Sequence, residues 1–423
     1  MATLWEYLPS PFATTPPNHA TSHDFPSQGA PRMKDKTVCV CPPAVSHEGF
    51  ASLATPVYRA STIAFPNAAA FANRADRGPN GYVYGLHGTP TSRTLEAAIS
   101  ALEGAAHTML QPSGQAAISL VFLAVLKPGD TVLIPDCAYP PVSSLCNGYL
   151  AERGIAHRVY DPLIGADIAG LIDDSVKMVW VESPGSATME VQDLPAIATA
   201  AHERGVLVGI DNTWASPLHF KPLAYGADIV VEALTKYFGG HSDLLMGSVS
   251  VNDDALYDRL KSTMSMLGIG VSPDDCSLVL RGMETMAVRL KHGSDLALDF
   301  AKRMAEIIDP RLVLHPALPT HPQHEMWKRD FAGASALFSI MIPSEMAGAL
   351  DGLIDQAKTF SIGASWGGTH SLMVPMAIGP MRQFDGNAPS GLVLRLSIGM
   401  EDPDDLWADL APIMDAIARH QPA

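Results

Sequence analysis

Nothing in this sequence is apolar for long enough to cross a bilayer. Crossing takes about 18 consecutive apolar residues. The most apolar stretch, Ala116 to Leu126, stops at Lys127-Pro128-Gly129-Asp130 and reads as a buried helix. Cysteine is scarce as well: Cys39, Cys41, Cys137, Cys146 and Cys276 are spread over 423 residues. That argues against a disulfide-stapled scaffold and fits the reduced thiols of a cytoplasmic protein. Cys39 and Cys41 have no His or Cys partner at zinc-finger spacing, so no metal site is expected there. Basic residues are short too, 28 against 44 acidic, and the net charge of -16 argues against nucleic acid and anionic membrane as partners. A local basic pocket for an anion remains compatible with that balance.

What the chain has in quantity is apolar side chains, 47% against 17% charged. A chain of this length and composition buries a large core, divided over two or more domains. Residues 1–32 are the exception, being rich in Pro, Thr, Ser and His. They lack the basic start, apolar centre and small-residue cleavage site of a secretory signal. A disordered extension is expected, with Met33 as an alternative start of translation.

From Thr108 onward short apolar runs alternate with helical stretches. Strands are predicted over Thr108–Leu110, Thr131–Ile134, Ala156–Val159, Val176–Glu182, Leu207–Ile210, Ile229–Glu232 and Ser248–Val251. Helices are predicted over Gly114–Leu126, Pro141–Arg153 and Leu194–Arg204. This alternation predicts an α/β fold, a mostly parallel central sheet with helices on both faces. After about Met283 the character changes. A helix to Ile308 leads into a smaller α+β domain, with strands Leu337–Ile342 and Leu392–Ile398 and a final helix Asp404–Ala418.

In parallel sheets ligands bind beyond the carboxyl ends of the strands, and the chemistry-bearing residues stand there. Lys236 follows a buried strand, in Ala233-Leu234-Thr235-Lys236-Tyr237-Phe238-Gly239-Gly240. Alone it would be a solvated loop lysine. Asp211 ends another strand, and alone it would be a helix cap. Together they are the pair a pyridoxal-phosphate (PLP) enzyme needs, one lysine for the Schiff base and one carboxylate to keep the pyridine nitrogen protonated. The turn Gln111-Pro112-Ser113-Gly114-Gln115 opens a helix, whose free N–H groups suit a phosphate. Tyr139, just past a strand, could stack on the cofactor ring or simply pack.

Longer stretches carry a resemblance. They are Tyr82-Val83-Tyr84-Gly85-Leu86-His87-Gly88-Thr89-Pro90-Thr91, Asp161-Pro162-Leu163-Ile164-Gly165-Ala166-Asp167-Ile168 and Glu182-Ser183-Pro184-Gly185-Ser186-Ala187-Thr188-Met189-Glu190-Val191. Ser365-Trp366-Gly367-Gly368 and Leu394-Arg395-Leu396-Ser397-Ile398-Gly399-Met400-Glu401-Asp402 complete the set. From about Met33 to about Ala418 the chain resembles the Cys/Met-metabolism family of PLP enzymes, and the Glu182 and Ser365 stretches favour its β-lyase branch. The resemblance implies the fold-type I transferase architecture: a 33–88 arm contacting a neighbouring subunit, an 89–282 PLP-binding domain and a 283–423 C-terminal domain.

It also implies roles. Lys236 and Tyr139 would be catalytic, with Lys236 as the Schiff-base lysine. Asp211 would hold the pyridine nitrogen, and Gly114, Gln115 and Thr235 the phosphate. Arg395 would hold the substrate carboxylate, assisted by Ser365, and Trp366 would shape the pocket. Tyr84 would reach the phosphate of a neighbouring subunit, so a homodimer is required and a tetramer implied. The implied reaction is α,β-elimination of L-cystathionine to homocysteine, pyruvate and ammonia. Other members of the family, the γ-lyases, γ-synthases and sulfhydrylases, share the lysine, the aspartate and the carboxylate-binding arginine, and a non-catalytic PLP-binding protein is the rival of another class. Two positions depart from the family's pattern: Leu86, where arginine is usual, and Ala233, where serine is common. Both remove phosphate contacts. His241 and His292 have no assignable partner and read as structural.

Overall fold

The apolar runs pair into two sheets. In a computed structural model, which describes residues 48–379, 382–388 and 391–420, the first sheet has seven strands. They are β1 (His107–Gln111), β2 (Thr131–Pro135), β3 (Ala156–Tyr160), β4 (Val176–Glu182), β5 (Leu207–Asp211), β6 (Ile229–Glu232) and β7 (Gly247–Val251). Their order is β1-β7-β6-β5-β4-β2-β3. Only β7 runs against its neighbours, β6 on one side and β1 on the other. Buried on both faces, these strands read as near-continuous apolar runs such as Thr131-Val132-Leu133-Ile134. The expected mostly parallel sheet is present, and each predicted strand falls within about a residue of its place.

The second sheet has five strands: β8 (Val313–Leu314), β9 (Leu337–Met341), β10 (Ser361–Ile362), β11 (Leu372–Ala377) and β12 (Leu392–Ser397), ordered β10-β11-β12-β9-β8. Three of these escaped the sequence reading. β8 and β10 are two residues long. β11 carries Met373, Pro375 and Met376 in place of a β-branched run.

Four helices matter for the site: α1 (Pro90–Glu103), α2 (Gly114–Val125), α3 (Pro273–Ile307) and α4 (Pro403–Arg419). Ser113 caps α2, its hydroxyl accepting the Ala116 N–H at 3.0 Å. Helix α3 begins ten residues before the predicted Met283. Its start was legible as a Ser272 cap, proline at the first position and Asp274-Asp275 in the first turn. The predicted helix Pro141–Arg153 is irregular: an α-helix over Pro140–Leu145, a π turn over Cys146–Leu150 and a 3-10 turn over Ala151–Arg153.

Helices α3 and α4 pack on the second sheet through Leu290, Phe300, Leu394, Leu396, Leu406 and Leu410. A second cluster, with Val181, Ile210, Trp214, Leu337 and Val393, joins the two sheets. There the Trp214 indole N–H donates to the Leu337 carbonyl at 3.0 Å. Residues from Thr55 onward form one compact unit; residues 48–54 belong to another, in which the Ala54 N–H donates to the Ser52 hydroxyl at 3.1 Å. The extension 1–32, Met33, Cys39 and Cys41 lie outside the described residues. Among the described residues no helix is long and apolar enough to cross a membrane.

Candidate active site

Parallel pairing brings the ends of β4, β5 and β6 to one side of the first sheet. The register sets Glu182 opposite Asp211 and Asp211 opposite Val231. Beyond β6 the chain folds into a tight turn: Lys236 N–H donates to Ala233 O at 3.0 Å, Gly239 N–H to Leu234 O at 2.8 Å and Gly240 N–H to Lys236 O at 2.7 Å. Arg289 of α3 braces this turn, its Nη2 donating to Tyr237 O at 2.9 Å and to Gly282 O at 2.7 Å. Gly240 is required here: its φ is +72°, and a Cβ would lie 1.9 Å from the Arg289 guanidinium.

The turn sends the Lys236 side chain into a cleft of about 920 Å3, open to solvent, whose lining includes Gly114, Gln115, Tyr139, Asp211, Trp366 and Arg395. Lys236 Nζ donates to Ser365 Oγ at 2.8 Å and stands 5.2 Å from the centre of the Trp366 ring. Arg395 enters from β12 of the other sheet. It is 5% exposed, with Nη2 donating to Ala364 O at 2.5 Å and Nη1 to Ser186 O at 3.4 Å. Its isolated place in a strand pattern reads from sequence as a surface position, but packing between the two sheets buries it.

The charges in the cleft act on one another. Burial, helped by the Arg395 charge and opposed by Asp211, brings the Lys236 ammonium down to about 8. Burial raises Asp211 above its ordinary value, although Thr213 opposes this with its N–H at 3.0 Å and its hydroxyl at 2.5 Å, both donated to Oδ1. The Thr213 hydroxyl also accepts the Ala233 N–H at 2.8 Å, tying the aspartate to the lysine turn. Tyr139 is raised by burial and then by Asp211 and Glu182, so its phenol keeps its proton at neutral pH. Glu182 is raised well above its ordinary value, mainly by burial.

These residues fit pyridoxal phosphate. The cleft offers an amine of lowered basicity, a carboxylate, an aromatic face and a helix N-terminus. Gly114 and Gln115 are the first two residues of α2, so their N–H groups have no acceptor within the helix. Only glycine lets this turn approach the strand ends: a Cβ on Gly114 would meet Ala233 Cβ at 2.7 Å, and one on Gly247 would meet Ser113 O at 2.4 Å. Gln115 Oε1 is buried without a partner.

Of the residues singled out in the sequence, Lys236, Asp211, Tyr139, Gly114, Gln115, Thr235, Trp366 and Arg395 line this cleft, and Ser365 joins it through Lys236. The Thr235 hydroxyl is engaged with Met246, donating to its carbonyl at 3.1 Å and accepting its N–H at 3.0 Å. Tyr84 stands outside the lining, 47% exposed, its hydroxyl 3.4 Å from Ser61 Oγ. Leu86 lines a separate pocket with Lys261 and Val271. His241, left without a partner in the sequence reading, has one: its Nδ1 is 2.7 Å from Gly239 O. Sequence reasoning missed Thr213, Arg289 and the Glu182 carboxyl. For Thr213 a signal existed, a hydroxyl two residues after a strand-end acid.

The sequence and the fold have known counterparts. A family described as Cys/Met metabolism PLP-dependent enzyme matches residues 36–415. The chain is 44% identical over 360 residues to a putative cystathionine beta-lyase of Rhizobium johnstonii, covering 84% of this chain and 89% of that one. It is 38% identical over 364 residues to the cystathionine beta-lyase of Escherichia coli, covering 84% and 91%. A crystal structure of cystathionine gamma synthase from Xanthomonas oryzae superposes with a TM-score of 0.77 at 30% identity, covering 88% of this chain and 95% of that one.

Proposed function

The chain belongs to the Cys/Met-metabolism PLP-dependent enzymes, and from that premise we propose how its residues divide the work of a cystathionine β-lyase. It is a fold-type I, PLP-dependent carbon–sulfur lyase that converts L-cystathionine to homocysteine, pyruvate and ammonia, a step of methionine metabolism. The observation that carries the assignment of roles is the convergence of Lys236, Asp211 and Arg395 on one cleft.

Bound there, the cofactor supplies an electron sink that acidifies the proton on the substrate Cα. Lys236 would hold its aldehyde carbon, Asp211 its ring nitrogen and Tyr139 its ring face. The N–H groups of Gly114 and Gln115, with Thr235, would hold its phosphate. Tyr84 stands off this chain's own cleft, so it would serve a second copy. We therefore read the enzyme as a homo-oligomer, at least a dimer. Residues 33–88 would be the arm contacting the neighbouring subunit, 89–282 the cofactor domain and 283–423 the C-terminal domain. The reduced, buried Cys137, Cys146 and Cys276 suit the cytoplasm.

Arg395 would exchange its carbonyl partners Ala364 and Ser186 for the substrate α-carboxylate, a planar fork replacing two weaker contacts. Ser365 and Trp366 would close the same end of the cleft. Lys236 Nζ is the better base for the Cα proton. Its basicity is lowered to about 8, whereas Tyr139 is pushed up and keeps its proton. Having taken that proton, Lys236 Nζ is the group to deliver it to the departing sulfur. Tyr139, protonated, would orient rather than abstract.

The test is a product assay on purified enzyme with L-cystathionine. Pyruvate and homocysteine are expected. Release of 2-oxobutyrate and cysteine would move the enzyme to the γ-cleaving members of the family. A cofactor absorption band without either keto acid would make it a binding protein.

A further inference from the structure

Glu182 is a buried acid in the cleft to which the roles above give no task. It ends β4, is 8% exposed and lines the cavity. Its Oε2 accepts the backbone N–H of Tyr139 at 2.6 Å. The strand end behind it is itself pinned. The Glu182 carbonyl accepts from Gln192 Nε2 at 2.7 Å, and Ser183 Oγ accepts the Gln192 N–H at 3.0 Å. The Tyr160 hydroxyl lies 2.8 Å from Gln192 Oε1 and from the Trp180 carbonyl. On the other side, Tyr139 is followed by Pro140 and Pro141, which open a short helix and fix the backbone direction. The Tyr139 carbonyl accepts the Val142 N–H at 2.8 Å within that helix, and its N–H is anchored to the sheet by a carboxyl on a rigid strand.

We propose that Glu182 is a positioning residue, holding the Tyr139 backbone, and through it the phenol ring, over the cleft beside Asp211. The inference deepens the function assigned above and rests on Tyr139 facing the cofactor ring. A carboxyl suits the task in its neutral form. Asp211 on β5 is its neighbour in register, so two ionised carboxylates would repel at adjacent strand ends. The Tyr139 N–H, Arg395 on β12 and Arg382 favour the ionised form, yet burial first and Asp211 second push Glu182 well toward the neutral one. Asp136 after β2 and Glu190 on the turn after β4 share the Arg382 charge with it, at 3.8 and 3.5 Å from the guanidinium, and burial pushes the neighbouring Cys137 thiol well up. A neutral acid still accepts the N–H through its carbonyl oxygen, and it leaves the negative charge to Asp211. Glutamine reproduces that acceptor, whereas alanine does not.

A double-mutant cycle on the holoenzyme tests this, combining Glu182→Ala with Tyr139→Ala and adding Glu182→Gln. Expected is a loss of about 10- to 100-fold in kcat/KM for E182A, on the scale of one misplaced first contact. In the Y139A background the same change should cost less than about twofold. The circular dichroism of the bound cofactor, a reading independent of turnover, should change in E182A and return in E182Q, with at least about tenfold of the lost kcat/KM. Full additivity of E182A with Y139A would overturn the proposal. So would an unchanged dichroic band in E182A, or an E182Q as impaired as E182A. Should E182A not fold, Glu182→Leu, which fills the volume without accepting the N–H, takes its place in the same cycle. Formation of 2-oxobutyrate would overturn the reaction assigned above and leave this inference standing, because cycle and dichroism are read on whichever substrate is turned over.

Discussion

Two regions of this chain hold ionisable groups against the cost of burial, and they differ in what surrounds them. In the cleft, Lys236 is brought down to about 8 among Arg395, Asp211, Tyr139 and Glu182. Beside the second sheet, His315 is brought down to about 3 and His321 to about 4. The His315 shift is the largest of the three, yet His315 is 0% exposed, tilted 5.5 Å from Phe338, with its Nδ1 accepting the Ala317 N–H at 3.2 Å. A large shift reports desolvation. Opposite charges arranged around an open cavity report chemistry. The two regions should therefore respond to mutation and to pH in different ways.

The largest expected effect is at the lysine. Lys236→Ala should lose the visible cofactor band and more than about a thousandfold in kcat/KM, the scale at which removing a covalent catalyst is felt. Retention of full activity would place the chemistry elsewhere and erase the contrast between the regions. Arg395→Lys comes next. A point charge replaces a bidentate fork, so KM for cystathionine should rise by on the order of 10- to 100-fold with a smaller change in kcat. A loss confined to kcat would mean that Arg395 does not bind the substrate.

The lysine also makes a prediction about pH. Only the neutral amine attacks an aldehyde, and Lys236 loses its proton near 8. The rate at which apo-protein captures PLP should rise about tenfold per pH unit up to that point and level off above it. Stopped-flow absorbance would read it. Arg395→Met removes a charge that lowers Lys236 and should move the break to higher pH. A break that stays put would mean that burial alone sets it.

Much of this was legible in the sequence, for physical reasons that also mark the limit. Buried parallel strands announce themselves as Val/Ile-rich runs, and the topology of such sheets puts their carboxyl ends on one side. Asp211, Lys236 and the Gly114 turn could thus be gathered without a structure. Arg395 could not be gathered that way. It comes from the other sheet, and its nearness to Lys236 depends on how Trp214, Leu337 and Val393 pack the sheets together. Glu182 carries no signal of its own in the sequence, because a strand-end glutamate looks the same whether it faces water or a neighbouring backbone N–H. Arg289, 53 positions after Lys236 in the sequence, braces the lysine turn from a helix whose periodicity says only that it is long.

The smallest effect belongs to the second region and is the one that separates it from the first. His315 stays neutral in the folded protein down to about 3, whereas in the unfolded chain it takes up a proton near 6.5. Between those values the unfolded state binds the extra proton, so stability falls as pH falls, by about 1 kcal/mol per pH unit for this one group. Above about 6.5 both states are neutral and the penalty is absent. His315→Gln should flatten the pH dependence of urea unfolding by about one proton between pH 6 and 4. The pH profile of cofactor capture should keep its break near 8, because His315 touches none of the groups that set Lys236. If the substitution moved that break, the two buried sets would be electrostatically one. If it left the unfolding slope unchanged, His315 would already be protonated in the folded protein, and burial would not be the dominant force on it.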